Sequence, residues 1–133
     1  MKIKLIKQKI IKNLKGNIKK FITKKSPEFK GFGECYFSEI KKNQTKGWKK
    51  NLTTNQMISV VYGKVVFYLI DDQNKKIKKY KYMLDDNKNF KKIIIPPNIW
   101  YAFKNLNKDK SILFNFLNIE HKKTKIINKK YGG

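Results

Sequence analysis

"TKGWKKNLTTNQMISVVYGKVVFYLIDD", residues 45–72, decides the fold class. Its second half, "MISVVYGKVVFYLIDD", is two runs of β-branched and aromatic residues meeting at Tyr62-Gly63. Such runs suit a pleated, half-buried surface, and the Gly between them reads as a tight hairpin. Asp71-Asp72-Gln73-Asn74 ends the second run. The first half, "TKGWKKN", is extended and polar.

The same grammar continues on both sides. Upstream, the loop "SPEFKGFG", punctuated by Pro27 and two glycines, leads into a strand, "ECYFSEI". Downstream come a strand "IKKYKYML", a turn "DDNKN", and "FKKIIIPPNIWYAFKNL", a strand broken at Pro96-Pro97 and then resumed. "NKDK" turns into the last strong strand, "SILFNFLNIE". Turn signals about every 8–12 residues, with no helical pattern between residues 30 and 120, point to an all-β barrel or jelly roll.

The two ends are less regular. Ile6, Ile10, Leu14 and Ile18 fall at helical spacing, which among so many lysines would make a membrane-surface helix. In the other reading, Ile3 and Leu5 alternate with Lys2 and Lys4, a turn runs from Asn13 to Asn17 around Gly16, and "NIKKFI" is a second strand. Strands are preferred, because everything downstream is β. The tail "HKKTKIINKKYGG" reads as loose or weakly helical.

The 133 residues are enough for one domain with one core. We place that single domain over residues 1–133, its core at about 17–121 and a polar tail at 122–133. Nine Phe and seven Tyr supply ample core volume and argue against disorder. The formal charge of +24 raises the question of a polyanion partner. Every basic residue is Lys, however, and the bidentate reader of guanine and phosphate is Arg, so no specific nucleic-acid partner is expected. Lys, Ile and Asn are abundant and Ala occurs once, at Ala102, the bias of an A/T-rich coding sequence. The field is real whatever its origin, and attracts small anions.

Cys35 is alone, so no internal disulfide forms. No apolar run reaches the roughly 20 residues of a membrane span, and no secretory h-region is present, so the cytoplasm is the expected location. One histidine, His121, cannot build the two- or three-histidine site of a metal-dependent barrel, so neither a metal nor another cofactor is expected.

Four pieces now fall in one order: "SPEFKGFGECYFSEI", "KGWKKN", "SVVYGKVVFYLIDD" and "IPPNIWYAFKNL". Together they resemble the dTDP-4-dehydrorhamnose 3,5-epimerase-related cupins and, more distantly, the nucleotide-sugar 3,4-ketoisomerases. The resemblance implies a double-stranded β-helix, usually dimeric. It also implies action on keto-sugars carried by a nucleoside diphosphate, for surface polysaccharide synthesis. Against that pattern, Lys49 and Asn51 stand where the family has His-x-His, and Tyr101 where many members have a His. Phe114 stands roughly where true epimerases place a catalytic Tyr, and Asn98 and Ala102 replace glycines. His121 matches a His in the tail of the epimerase-related group.

The family reaction, proton removal next to a ketone, needs a base, an acid and a partner for the enolate oxygen. The resemblance implies Lys49 and Tyr101 as the catalytic pair, with Tyr36, Lys46, Asn51, Gln56 and Trp100 as substrate contacts. A lysine acting as base must be desolvated enough to lose a proton about three units below its ordinary ~10.4; a charged lysine instead steadies an enolate or grips a phosphate. Glu34 and Glu39 have no assignable face from alternation alone. Three functions stay open: an isomerase with altered residues, a sugar-nucleotide-binding barrel without turnover, and a charge-driven polyanion binder.

Overall fold

The computed structural model describes residues 2–120 and a short strand at 126–128. Among the described residues every regular element is a strand, and no helix is long and apolar enough to cross a membrane. One sheet has the order β1 (Lys4–Lys7), β9 (Lys91–Ile95), β6 (Gln56–Tyr62), β11 (Ser111–Leu117), β4 (Glu34–Ile40). The other runs β12 (Ile126–Asn128), β5 (Thr45–Asn51), β10 (Trp100–Asn105), β7 (Lys64–Asp71), β8 (Lys78–Asp85). All the pairings are antiparallel. The two sheets face each other as the all-β double-stranded β-helix of the cupins.

Period-2 alternation delivers one face of each sheet to a shared core. Ile58, Val60, Ile93 and Leu113 from the first sheet meet Val65, Phe67 and Leu69 from the second, all at 0% exposure. Each such side chain stabilises the fold by about 1.5–3 kcal/mol. One end of the barrel is sealed by polar pairing. Asn105 Nδ2 donates to the carbonyls of Ile40 (3.1 Å) and Asp109 (2.8 Å), and Ser111 Oγ donates to Asn105 Oδ1 at 2.6 Å.

The outer face of the first sheet carries a second cluster, Met57, Ile94 and Phe116, with Phe21, Ile22 and Phe29 of the segment before β4 packed on it. Lys92, 1% exposed, pins that segment: its ammonium lies 2.5 Å from the Glu28 carboxylate, donates to the Phe21 carbonyl and sits over the Phe21 ring.

Three sequence expectations change. Tyr62-Gly63 is a corner and not a hairpin: β6 pairs with β9 and β11, while β7 pairs with β8 and β10. Gly63 has φ +96°, and a Cβ there would meet Ser111 Oγ at 2.2 Å, so Gly is required to carry the chain from one sheet to the other. The tail is neither loose nor helical at 126–128, where it forms the edge strand β12 against Asn51, Lys50 and Lys49. At the N-terminus the strand reading holds over the helix. The hairpin, though, joins β2 (Ile10–Ile11) to β3 (Ile18–Lys19), and β1 pairs instead with β9.

Candidate functional site

The candidate site is built around β5 and β10. Tyr101 is the direct partner of Lys49, and Phe103 of Lys46. Cross-strand partners share a face, so both lysines lie on the face from which Tyr101 and Phe103 enter the core. Residues three apart on a regular strand point to opposite faces. Here the register shifts: Ala102 opposes Gly47 and Tyr101 opposes Lys49, leaving Trp48 as the extra residue of a bulge. That bulge puts Lys46 and Lys49 on one side. Gly47 makes it feasible, with φ +136° and a hypothetical Cβ 2.6 Å from the Ala102 Cβ.

Tyr101 is 8% exposed and its ring stacks on Phe103 at 5.2 Å between centroids. Burial pushes its phenol up to about 12; a hydrogen bond with the Gln56 side chain works against this, and nearby Tyr36 adds to it. Tyr36 is also raised, first by burial and then by the neighbouring Glu34 carboxylate. Both phenols are therefore protonated at neutral pH and act as donors. Glu34, Tyr36, Ser38 and Ile40 alternate onto one face of β4, and Ile40 lies in the barrel core, so Glu34 is on the interior side and Glu39 on the outer.

Gln56 is 5% exposed and sits one strand from Glu34, through Leu117. Asn51, also 5% exposed, accepts the Asn98 N–H on its carbonyl at 2.7 Å, while its side-chain Oδ1 has no partner among the described residues. Asn98 has φ +70°, a left-handed conformation that Asn tolerates where the family pattern has Gly. Lys46 and Lys49 are both exposed. Tyr36, Gln56 and Tyr101 thus come together, with Lys46, Lys49 and Asn51 on the strand beside them.

Trp100 does not join them. Adjacent to Tyr101 on β10, it takes the opposite face, where its indole donates to Asp72 Oδ2 at 3.0 Å and Lys50 lies 4.9 Å over its ring. Lys50 reaches Asp72 Oδ1 at 3.2 Å. Phe114 also faces outward, edge-on to Phe21 at 4.7 Å, so the inward residue at that point of β11 is Asn115. Asn115, 4% exposed, donates to Ser38 Oγ at 3.0 Å. Sequence reasoning passed over this pair; its signal was an Asn inside the apolar strand "SILFNFL". His121 lies outside the described residues.

No curated protein matches the sequence. Solved structures match the fold closely. A dTDP sugar isomerase from Desulfovibrio desulfuricans G20 superposes with TM-score 0.91 at 25% identity, covering 96% of this chain and 83% of that one. The 3,4-ketoisomerase QdtA of Thermoanaerobacterium thermosaccharolyticum, solved as a histidine-to-asparagine mutant with TDP-4-keto-6-deoxyglucose, gives 0.78 at 20% identity over 96% and 87% of the two chains. The epimerase RmlC of Legionella pneumophila, solved with dTDP-4-keto-L-rhamnose, gives 0.83 at 18% over 97% and 73%. The model of the family described as "FdtA: WxcM-like, C-terminal" matches residues 1–131. The chain belongs to the WxcM-like C-terminal (FdtA) family.

Proposed function

We propose that the site on β5 and β10 binds a dTDP-linked 4-keto-6-deoxy sugar and isomerises it, for surface polysaccharide synthesis, with the protein acting as a homodimer. The observation that carries this reading is the Lys49–Tyr101 rung: an ammonium and a buried, protonated phenol facing the same space from neighbouring strands. Kinship to sugar-nucleotide isomerases supports it, as do relatives solved with TDP-linked keto-sugars.

In the reaction a proton leaves the carbon next to the ketone and the electron pair moves onto the carbonyl oxygen. Tyr101 donates a hydrogen bond to that oxygen and Lys49 supplies positive charge beside it. Lys49 is exposed, and its role is that of a cation beside the oxygen. Glu34, on the interior face with Tyr36, is the carboxylate that takes the proton. Reprotonation from the other face gives an epimer; proton transfer through the enediol gives the ketoisomer. Asn51 Oδ1 accepts a sugar hydroxyl, and Lys46 meets the diphosphate.

A second reading keeps the ligand without turnover. It is favoured by Lys49, Asn51 and Tyr101, which stand where the family pattern has histidines. Calorimetric titration with dTDP and with dTDP-4-keto-6-deoxyglucose tests what both readings share. Binding is expected, weakened about tenfold, roughly 1.4 kcal/mol, in Lys49→Ala and in Asn51→Leu. No heat from either ligand sinks both readings.

A further inference from the structure

The interior wall that the first sheet turns towards the site is half polar and half apolar. Its rungs, read across β4, β11 and β6, are Glu34, Leu117 and Gln56, then Tyr36, Asn115 and Ile58, then Ser38, Leu113 and Val60. β4 contributes only polar groups to these rungs, whereas beyond Gln56 the β6 positions are Ile58 and Val60, with Ile93 of β9 beside them. Asn115 stands on the border, between Leu113 and Leu117 on its own strand and one rung from Gln56. Tyr36 is 37% exposed and Ser38 half-buried, so the polar half of the wall is reached by solvent.

An amide inside an apolar strand is costly unless its polar atoms are used. The Asn115 nitrogen is used: it donates to Ser38 Oγ at 3.0 Å and, more weakly, to the Tyr36 carbonyl at 3.5 Å. A carbonyl only accepts, which fixes the nitrogen towards β4 and turns Oδ1 away from it. No described residue donates to that oxygen.

We infer that Asn115, held by Ser38, selects the substrate by accepting one hydroxyl of its sugar ring. Oδ1 is an acceptor, and the donors a keto-sugar carries are hydroxyls. The neighbouring Ile58 and Ile93 side chains suit the ring's C–H face, so the two halves of the wall match the two characters of a sugar. A site built to hydrogen-bond a hydroxyl rejects the analogue that lacks it, because its buried acceptor is then left unpaired. Asn115 is a specificity residue and Ser38 the residue that positions it; neither moves a proton. The inference names a contact of the site proposed above and rests on that reading.

Calorimetric titration on the full chain tests it, with wild type, Asn115→Leu and Ser38→Ala each checked by thermal melt. The ligands are dTDP, dTDP-4-keto-6-deoxyglucose, and the forms of that keto-sugar nucleotide lacking the hexose hydroxyl at C2 or at C3. Removing the hydroxyl that meets Asn115 is expected to cost wild type about tenfold in affinity, and that cost is expected to vanish in Asn115→Leu. dTDP, which has no hexose, is expected to bind wild type and Asn115→Leu within about twofold of each other. Ser38→Ala keeps the amide but frees its nitrogen, and is expected to fall between the two; it carries the same comparison if Asn115→Leu does not fold. Hydroxyl costs that are equal in wild type and both variants overturn the role of Asn115 and leave the sugar-nucleotide site standing. So does a loss of affinity in Asn115→Leu that is the same for dTDP as for the keto-sugar nucleotide. A wild type that binds none of the four ligands overturns both.

Discussion

Lys49 and Tyr101 are cross-strand partners on β5 and β10, one exposed and one 8% exposed. They share a face because the bulge at Trp48 sets their register. This pairing of a cation with a neutral phenol is the centre of the proposed chemistry. Tyr101→Phe is expected to lower turnover of the keto-sugar by about 10²–10³-fold, the usual cost of removing one enolate donor. It should also destabilise the fold by roughly 1–3 kcal/mol, since Gln56 is left buried without its partner. Rate assays and thermal melts on the purified variant check the two effects separately.

The phenol of Tyr101 titrates late. Its folded value of about 12 lies above its ordinary 10.0, so the folded state holds the proton that the unfolded state gives up first. The associated stability is full below pH 10 and is lost as pH rises towards 12. Ultraviolet difference titration of wild type against Tyr101→Phe is expected to remove the most alkaline phenol step. A first phenol step that disappears instead would contradict the burial argument.

Gly47 tolerates no side chain. A Cβ there meets Ala102 Cβ at 2.6 Å and Cα at 2.7 Å, on a backbone with φ +136°. Gly47→Ala is expected to cost more than about 1 kcal/mol and to weaken ligand binding, because the bulge is what keeps Lys46 and Lys49 on one face. Adding Ala102→Gly relieves the Cβ–Cβ contact alone, so only partial recovery of the melting temperature is expected.

Glu28 and Lys92 hold the N-terminal segment against the first sheet. Burial raises the Glu28 carboxyl, but the hydrogen bond and charge of Lys92 outweigh it and leave the group below its ordinary 4.5. A depressed carboxylate stabilises the fold above the ordinary range, and that stability is lost as pH falls through the folded value. Acid unfolding of wild type is therefore expected to steepen below pH ~4.5 and to flatten there in Glu28→Gln. At neutral pH Glu28→Gln should cost about 3–5 kcal/mol, since it removes the counter-charge of a buried ammonium, and the double variant with Lys92→Met should cost less.

Much of the fold was legible because strands announce themselves locally. The β-branched and aromatic runs of β6 and β7 and the turn glycine between them read directly from residues 57–72. Which strand pairs with which did not, because a corner and a hairpin use the same local glycine chemistry and differ only in distant partners such as Ser111. The bulge at Trp48 was hidden for the same reason: simple alternation puts Lys46 and Lys49 on opposite faces. The separation of Trp100 from Tyr101 was readable, since neighbours on one strand always diverge. The Asn115–Ser38 pair needed the register of β4 with β11, which no single strand encodes.

The most direct measurement is proton NMR of dTDP-4-keto-6-deoxyglucose in deuterated water with the wild-type protein and with Lys49→Ala. The account expects deuterium at C3 or C5, or a shifted carbonyl, with wild type, and a loss of at least about tenfold in the variant. A substrate that binds wild type yet keeps every C–H signal under saturating protein would contradict the proposed isomerase and leave a barrel that only holds its sugar nucleotide.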